Sequence, residues 1–217
     1  KRITFASFVN EIIISRNTRP VAIWLLIGVF MIMVQVLLGG ITRLTGSGLS
    51  ITEWNPIMGA IPPLNHQQWI AAFHLYQQTP QYHFKNPDFT LHDFKFIFFW
   101  EWFHRVWARA LGVVFLIPFF IFLIQKRFIK SMIKPMIILF LLGALQGVIG
   151  WIMVESGLVG DNIRVNHLKL AAHFITALIL LCYTFWFALS LLVKDENRYN
   201  IFSFRKFTIW IIVILTL

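Results

Sequence analysis

The sequence predicts an all-α, polytopic membrane protein: a bundle of four transmembrane helices plus the start of a fifth. Three observations predict it. The 217 residues are 58% hydrophobic and only 13% charged, with a mean hydropathy of +0.73, far from a soluble globular domain. Apolar runs at Val21–Leu38, about Arg105–Ile124, Pro135–Val154 and Leu168–Val193 each approach the ~20 residues that a helix needs to cross ~30 Å of hydrocarbon. The basic residues also alternate from one side to the other. Lys1, Arg2, Arg16 and Arg19 precede the first run, Lys126, Arg127, Lys130 and Lys134 lie between the second and third, and Lys194, Arg198, Arg205 and Lys206 follow the fourth.

These segments hold 12 of the 19 Lys and Arg. By the positive-inside rule, the N-terminus and those loops lie on the cytoplasmic or matrix side. The net charge of +10 is therefore a topology signal, with membrane lipid as the partner and no nucleic acid. The fifth apolar run, Phe207–Leu217, would rise only about 16 Å as a helix, too little to span, so the chain is expected to continue in a longer protein. Residues 1–193 read as an N-terminal four-helix half with a long outer loop at 39–93. Residues 194–217 read as an inner loop and the truncated start of helix five.

Within the outer loop, the apolar residues of His66–Gln77 line one face of a short interfacial helix. Thr90-Leu91-His92-Asp93 forms a capping box, which starts helix two near Leu91 and gives it Lys95, Glu101, His104 and Arg105 in its outer third. Pro20 and Pro135 suit first turns, whereas Pro118 falls within span two and should bend it. Cys182 has no intrachain partner and reads as a small buried apolar residue. No short internal repeat is evident.

Two histidines, His104 and His173, stand in these apolar stretches. Ionisable groups at membrane depth are costly unless they face a bundle interior, so the pair reads as a functional site. Spans two and four run in the same direction and place both imidazoles near the outer end, on helices that are diagonal neighbours in a four-helix bundle. Zinc would want further ligands, and only Glu101 is close in sequence, whereas a haem iron needs two axial imidazoles. Ala108 and Ala177 each fall one turn beyond a histidine and leave room for a flat ligand. Spacing alone leaves bis-histidine haem, interhelical hydrogen bonding and a proton path all open.

Longer motifs narrow the choice. The run Gly39-Gly40-Ile41-Thr42-Arg43-Leu44-Thr45-Gly46-Ser47-Gly48-Leu49-Ser50-Ile51-Thr52-Glu53-Trp54, followed by Pro62-Pro63, resembles the haem A synthase family in its mitochondrial and alphaproteobacterial branch. So do Phe94-Lys95-Phe96-Ile97, Glu101-Trp102-Phe103-His104-Arg105, Gln146–Val154, Ser156-Gly157-Leu158 and Leu170-Ala171-Ala172-His173, in family order and spacing. Ala108, Leu168 and Lys169 stand where relatives often carry glycine, tyrosine and arginine, and the outer-loop cysteine pair of some relatives is absent.

The resemblance implies an eight-helix protein of two four-helix halves that oxidises a methyl substituent of haem O to the formyl group of haem A for cytochrome oxidase assembly. This chain corresponds to the N-terminal half. It implies haem O between His104 and His173 as axial ligands, with Glu101 as the catalytic group of a Glu-x-x-His-Arg motif. A second, b-type haem is expected in the missing C-terminal half. Further implied partners are that half, haem O synthase, an electron donor and cytochrome oxidase assembly factors. The implied location is a bacterial inner or mitochondrial inner membrane.

Such chemistry needs iron held rigidly and a polar group near the substituent. Glu101, about one turn outward from His104, can reach the same ligand. Arg105, Arg109 and Lys169 are candidates for the haem propionates, Lys169 equally for a snorkelling interface residue. Arg43 organises the loop or touches a propionate, and Gln146 is expected to hydrogen-bond across helices. His66, His74, His83, His92 and His167 read as surface residues. The rival reading is a bis-histidine membrane cytochrome b that only carries electrons.

Overall fold

The computed structural model describes residues 5–52, 60–160 and 162–193. Among them all regular structure is helical: α1 Phe5–Thr45, α2 His66–Gln77, α3 Pro80–Lys85, α4 Leu91–Ile124, α5 Lys130–Leu158 and α6 His167–Leu192. Four stretches, Thr18–Thr45, Leu91–Ile124, Lys130–Leu158 and His167–Leu192, are long and apolar enough to cross a membrane, which makes this a multi-pass membrane protein. The expected start of a fifth helix at Phe207–Leu217 lies outside the described residues.

The helix boundaries follow local chemistry, with three corrections. The outer loop does not begin at Gly39, because α1 continues to Thr45. It ends where Gly46 takes a left-handed φ of 67° and the Ser47 N–H donates back to the Thr42 carbonyl at 2.9 Å, a C-terminal cap that favours glycine. Pro20 and Pro135 are not first-turn prolines. Both lie inside helices, since α1 starts at Phe5 and α5 one turn before its apolar run, at Lys130. Cys182 is exposed, on the outward face of α6, and not buried. The capping box at Thr90 and Asp93 forms in both directions, and α2 has the expected bounds. Helix α4 runs on through Pro118.

Three hydrogen bonds from side chain to main chain lock α1 antiparallel to α4. Trp24 donates to Val114 at 2.8 Å, Trp107 to Met31 at 2.9 Å and Gln35 to His104 at 3.3 Å. In hydrocarbon, where apolar side chains gain little by leaving lipid, such bonds fix a helix pair's register. Helix α1 also packs along α6, and α6 along α5.

Two apolar clusters bracket the bundle. At the end that the expected topology makes the inner one, Val21, Trp24, Leu25, Met132, Met136, Leu139 and Phe187 pack together. At the outer end α2 lies across α4, where Tyr76, Phe94, Ile97 and Phe98 form a buried cluster with Trp69 and Phe73 against it. The Trp69 and Phe98 rings meet edge to face at 5.0 Å, a geometry worth about 0.5–1.5 kcal/mol beyond its area. The level between the clusters is different. Among the described residues, α4 buries none beyond Glu101, α5 none between Leu139 and Gly157, and α6 none before Thr184.

Candidate haem-binding site

His104 on α4 and His173 on α6 both fall between the two clusters, and their imidazoles are close enough to interact electrostatically. Each ring lies against a glycine of the neighbouring helix. A Cβ on Gly39 would stand 3.5 Å from His104 Nε2, and one on Gly150 only 2.9 Å from His173 Cε1. The closer contact explains why α5 carries glycine at 150, in mid-helix, where it costs about 1 kcal/mol relative to alanine.

Gln146 crosses from α5 to α6, as expected. Its amide nitrogen is 2.9 Å from the His173 carbonyl and 3.2 Å from His173 Nδ1, and its carbonyl accepts the Thr176 hydroxyl at 2.6 Å. Neither the role of Gln35 nor that of the two glycines was foreseen, although Gln-x-x-x-Gly occurs at both 35–39 and 146–150. That short repeat becomes meaningful once each copy is seen beside a histidine.

Glu101 is buried, one turn outward of His104. Its Oε2 accepts the Ser50 N–H and hydroxyl, both at 2.7 Å, and the Ile51 N–H at 2.9 Å, while Oε1 pairs with Arg105. Arg105 also donates to the Ile51 carbonyl at 3.3 Å. A buried charge persists when paired and fully hydrogen-bonded, so the ion pair pins the outer segment onto α4. Within that segment Leu49 inserts over Gly157, where a Cβ would approach Leu49 Cδ2 to 2.7 Å. Trp102 ties a further outer residue, donating to the Ala60 carbonyl at 2.9 Å.

The candidate propionate residues are spread over two places. Arg105 and Arg109 continue the Glu101 face of α4, one and two turns inward. Lys169 lies instead at the outer end of α6, lining a cavity of about 580 Å³ with Arg164, His167, Asn166 and Glu155. Above it the exposed Arg43 and Arg164 act on Lys85, whose ammonium lies below its ordinary value of 10.5 because of burial and these two guanidiniums. The outer rim is therefore electropositive and suited to anionic groups. His66, His74, His83, His92 and His167 are all exposed.

These residues fit a haem better than a bare metal ion. Among the described residues no group of three or more His, Cys, Asp or Glu could hold an ion, whereas a haem iron asks for two axial imidazoles. The two imidazoles, on different helices and each lying beside a glycine of a third and a fourth, are such a pair.

Comparison with known proteins places the chain in a family. The chain is 45% identical to the heme A synthase of Flavobacterium johnsoniae over 193 residues, covering 88% of this chain and 56% of that protein. It is 50% identical to the heme A synthase of Paramagnetospirillum magneticum over 179 residues, covering 82% of this chain and 50% of that protein. For the heme A synthase of Nitrosomonas eutropha the figures are 45% over 178 residues, 82% and 50%. The chain thus spans about half the length of the curated relatives it matches. No solved structure matches it. The profile of the COX15-CtaA family, described as cytochrome oxidase assembly protein, matches residues 22–217, and the chain belongs to that family.

Proposed function

We propose that this chain is the substrate-haem half of a haem A synthase, an oxidoreductase that converts a methyl substituent of haem O into the formyl group of haem A. The observation that carries the proposal is the pair of imidazoles on α4 and α6, each lying beside a glycine of the neighbouring helix and close enough to interact with one another. The names of the relatives, all heme A synthases, support the same reading.

In this proposal His104 and His173 hold the haem iron, and the iron supplies the redox chemistry that a side chain cannot. Arg105 and Arg109 on α4 and Lys169 at the start of α6 attract the propionates. Glu101 is the catalytic carboxylate at the site's edge: a proton leaving the reacting substituent reaches it in exchange for one of the three hydrogen bonds that Oε2 accepts from Ser50 and Ile51. The outer segment held by Glu101 and Arg105 covers the α4 side of the site and limits the entry of water.

The N-terminus then lies on the cytoplasmic or matrix side of a bacterial or mitochondrial inner membrane. The domain division at residue 193, a b-type haem in the remaining half, and haem O synthase, an electron donor and oxidase assembly factors as partners belong to the same proposal.

The test is chemical. Pyridine haemochrome and mass analysis of the purified full-length protein should find haem O or haem A, and alanine at His104 or His173 should abolish it. Haem B alone, with no conversion of added haem O, would establish the electron-carrying cytochrome instead.

A further inference from the structure

The two helix pairs of the bundle hold their histidines by one repeated device. On α1 the amide of Gln35 donates to the His104 carbonyl at 3.3 Å, and four residues on Gly39 lies against the His104 ring. On α5 the amide of Gln146 donates to the His173 carbonyl at 2.9 Å, and four residues on Gly150 lies against the His173 ring. Four-residue spacing puts each glutamine and its glycine on one helix face, so the amide grips the main chain beside the ring, and at Gly150 the missing side chain admits the imidazole.

A carbonyl within a helix already has its N–H partner one turn on. A second donor from the neighbouring helix therefore adds nothing that the helix lacks, but it fixes rotation and depth at that residue. We infer that Gln35 and Gln146 are the positioning residues of the paired-histidine site, a matched set that presents the two imidazoles to one iron. This inference rests on the proposed ligation by His104 and His173.

The two grips are unequal. Gln146 also reaches His173 Nδ1 at 3.2 Å, and its own orientation is fixed by the Thr176 hydroxyl at 2.6 Å. Gln35 makes one longer bond, and its Oε1 is buried without a hydrogen-bond partner. His173 is thus held at main chain and ring, His104 at main chain alone. The plane of the His173 ring is set before haem arrives, and His104 is the ligand that adjusts.

The experiment uses purified full-length protein and the low-spin ferric resonance that both His104→Ala and His173→Ala remove. The position of its largest g-value reports the angle between the imidazole planes. Gln146→Met, similar in size but without the amide, should shift or broaden that resonance and weaken haem retention about 10-fold or more. Gln35→Met should weaken retention less and leave the resonance in place. Thr176→Val, which leaves Gln146 but frees its amide, should give a smaller shift in the same direction and serves if Gln146→Met does not fold. An unshifted resonance at full haem content in Gln146→Met, or in Thr176→Val should that variant alone fold, overturns the inference. If neither alanine substitution removes a low-spin resonance, the ligand assignment itself is overturned, a different outcome.

Discussion

Glu101 and Ser50, 51 residues apart in the chain, are joined twice: the main-chain N–H and the hydroxyl of Ser50 both donate to Glu101 Oε2 at 2.7 Å. The carboxylate therefore has two duties, holding the outer segment and standing beside the haem ligand. Substitutions separate them. Glu101→Gln keeps a carbonyl oxygen for Ser50 and Ile51, so the fold and haem binding should persist while haem A formation stops and haem O or a partly oxidised alcohol accumulates. Glu101→Ala removes the acceptor that Ser50, Ile51 and Arg105 share, at a cost of about 3–5 kcal/mol, and should open the outer segment to protease. A normal haem A yield from Glu101→Gln would remove Glu101 from the chemistry.

The glycines beside the two imidazoles should respond differently to one added methyl. At Gly150 a Cβ would stand 2.9 Å from the His173 ring, closer than such contacts occur, so Gly150→Ala must displace the ligand, at about 1–3 kcal/mol. At Gly39 the distance to His104 is an ordinary 3.5 Å, and the gain in helix propensity should make Gly39→Ala neutral or mildly stabilising. Haem content and thermal unfolding of the two variants measure this contrast. Equal losses at both positions would contradict the seating of the rings described above.

Topology is open to a direct check. Cys182 is exposed, so it must first be replaced by alanine. Single cysteines at Ala60 and Lys130 should then react with a membrane-impermeant maleimide from opposite sides, the first only from outside and the second only from inside. The reverse pattern would move the site to the other face of the membrane.

The cap formed by α2 and α3 should be sensitive to alkali. Tyr76 is wholly buried against α4, and its hydroxyl accepts a hydrogen bond from the Asn86 amide at 2.7 Å. Burial pushes its hydroxyl above the ordinary value of 10.0. The folded state thus holds this proton more tightly than the unfolded state does. The resulting stability is complete below about pH 10 and is lost as pH rises through the folded value. Tyrosinate absorbance and proteolysis of the cap should change together above that pH, and Tyr76→Phe should remove the Tyr76 component of the absorbance change. A cap that loosens at neutral pH would point to another group.

Much of this protein was legible in one dimension because the bilayer simplifies the problem. A span must be a long apolar helix, since hydrocarbon offers no partner to a free peptide group, and so length and hydropathy sufficed for the four crossings. The capping box at Thr90 and Asp93 acts over three residues and was equally readable. His104, His173 and Glu101 stood out because charge is expensive where they lie.

Other features depended on which helix turned which face toward which. The sequence shows Gly39 in a motif, but only the packing of α1 on α4 puts it against His104 and carries the helix past it. Glu101 is one turn from His104 by spacing, yet its hydrogen bonds go to Ser50 and Ile51, far away in the chain. Gln35 and Gln146 are unremarkable polar residues until each is seen to grip a histidine's main chain from the next helix. Apolar length and local capping are properties of a segment and can be read from it. The orientation of an imidazole, the partner of a carboxylate and the use of a glycine are properties of contacts between segments, and only the tertiary structure decided them.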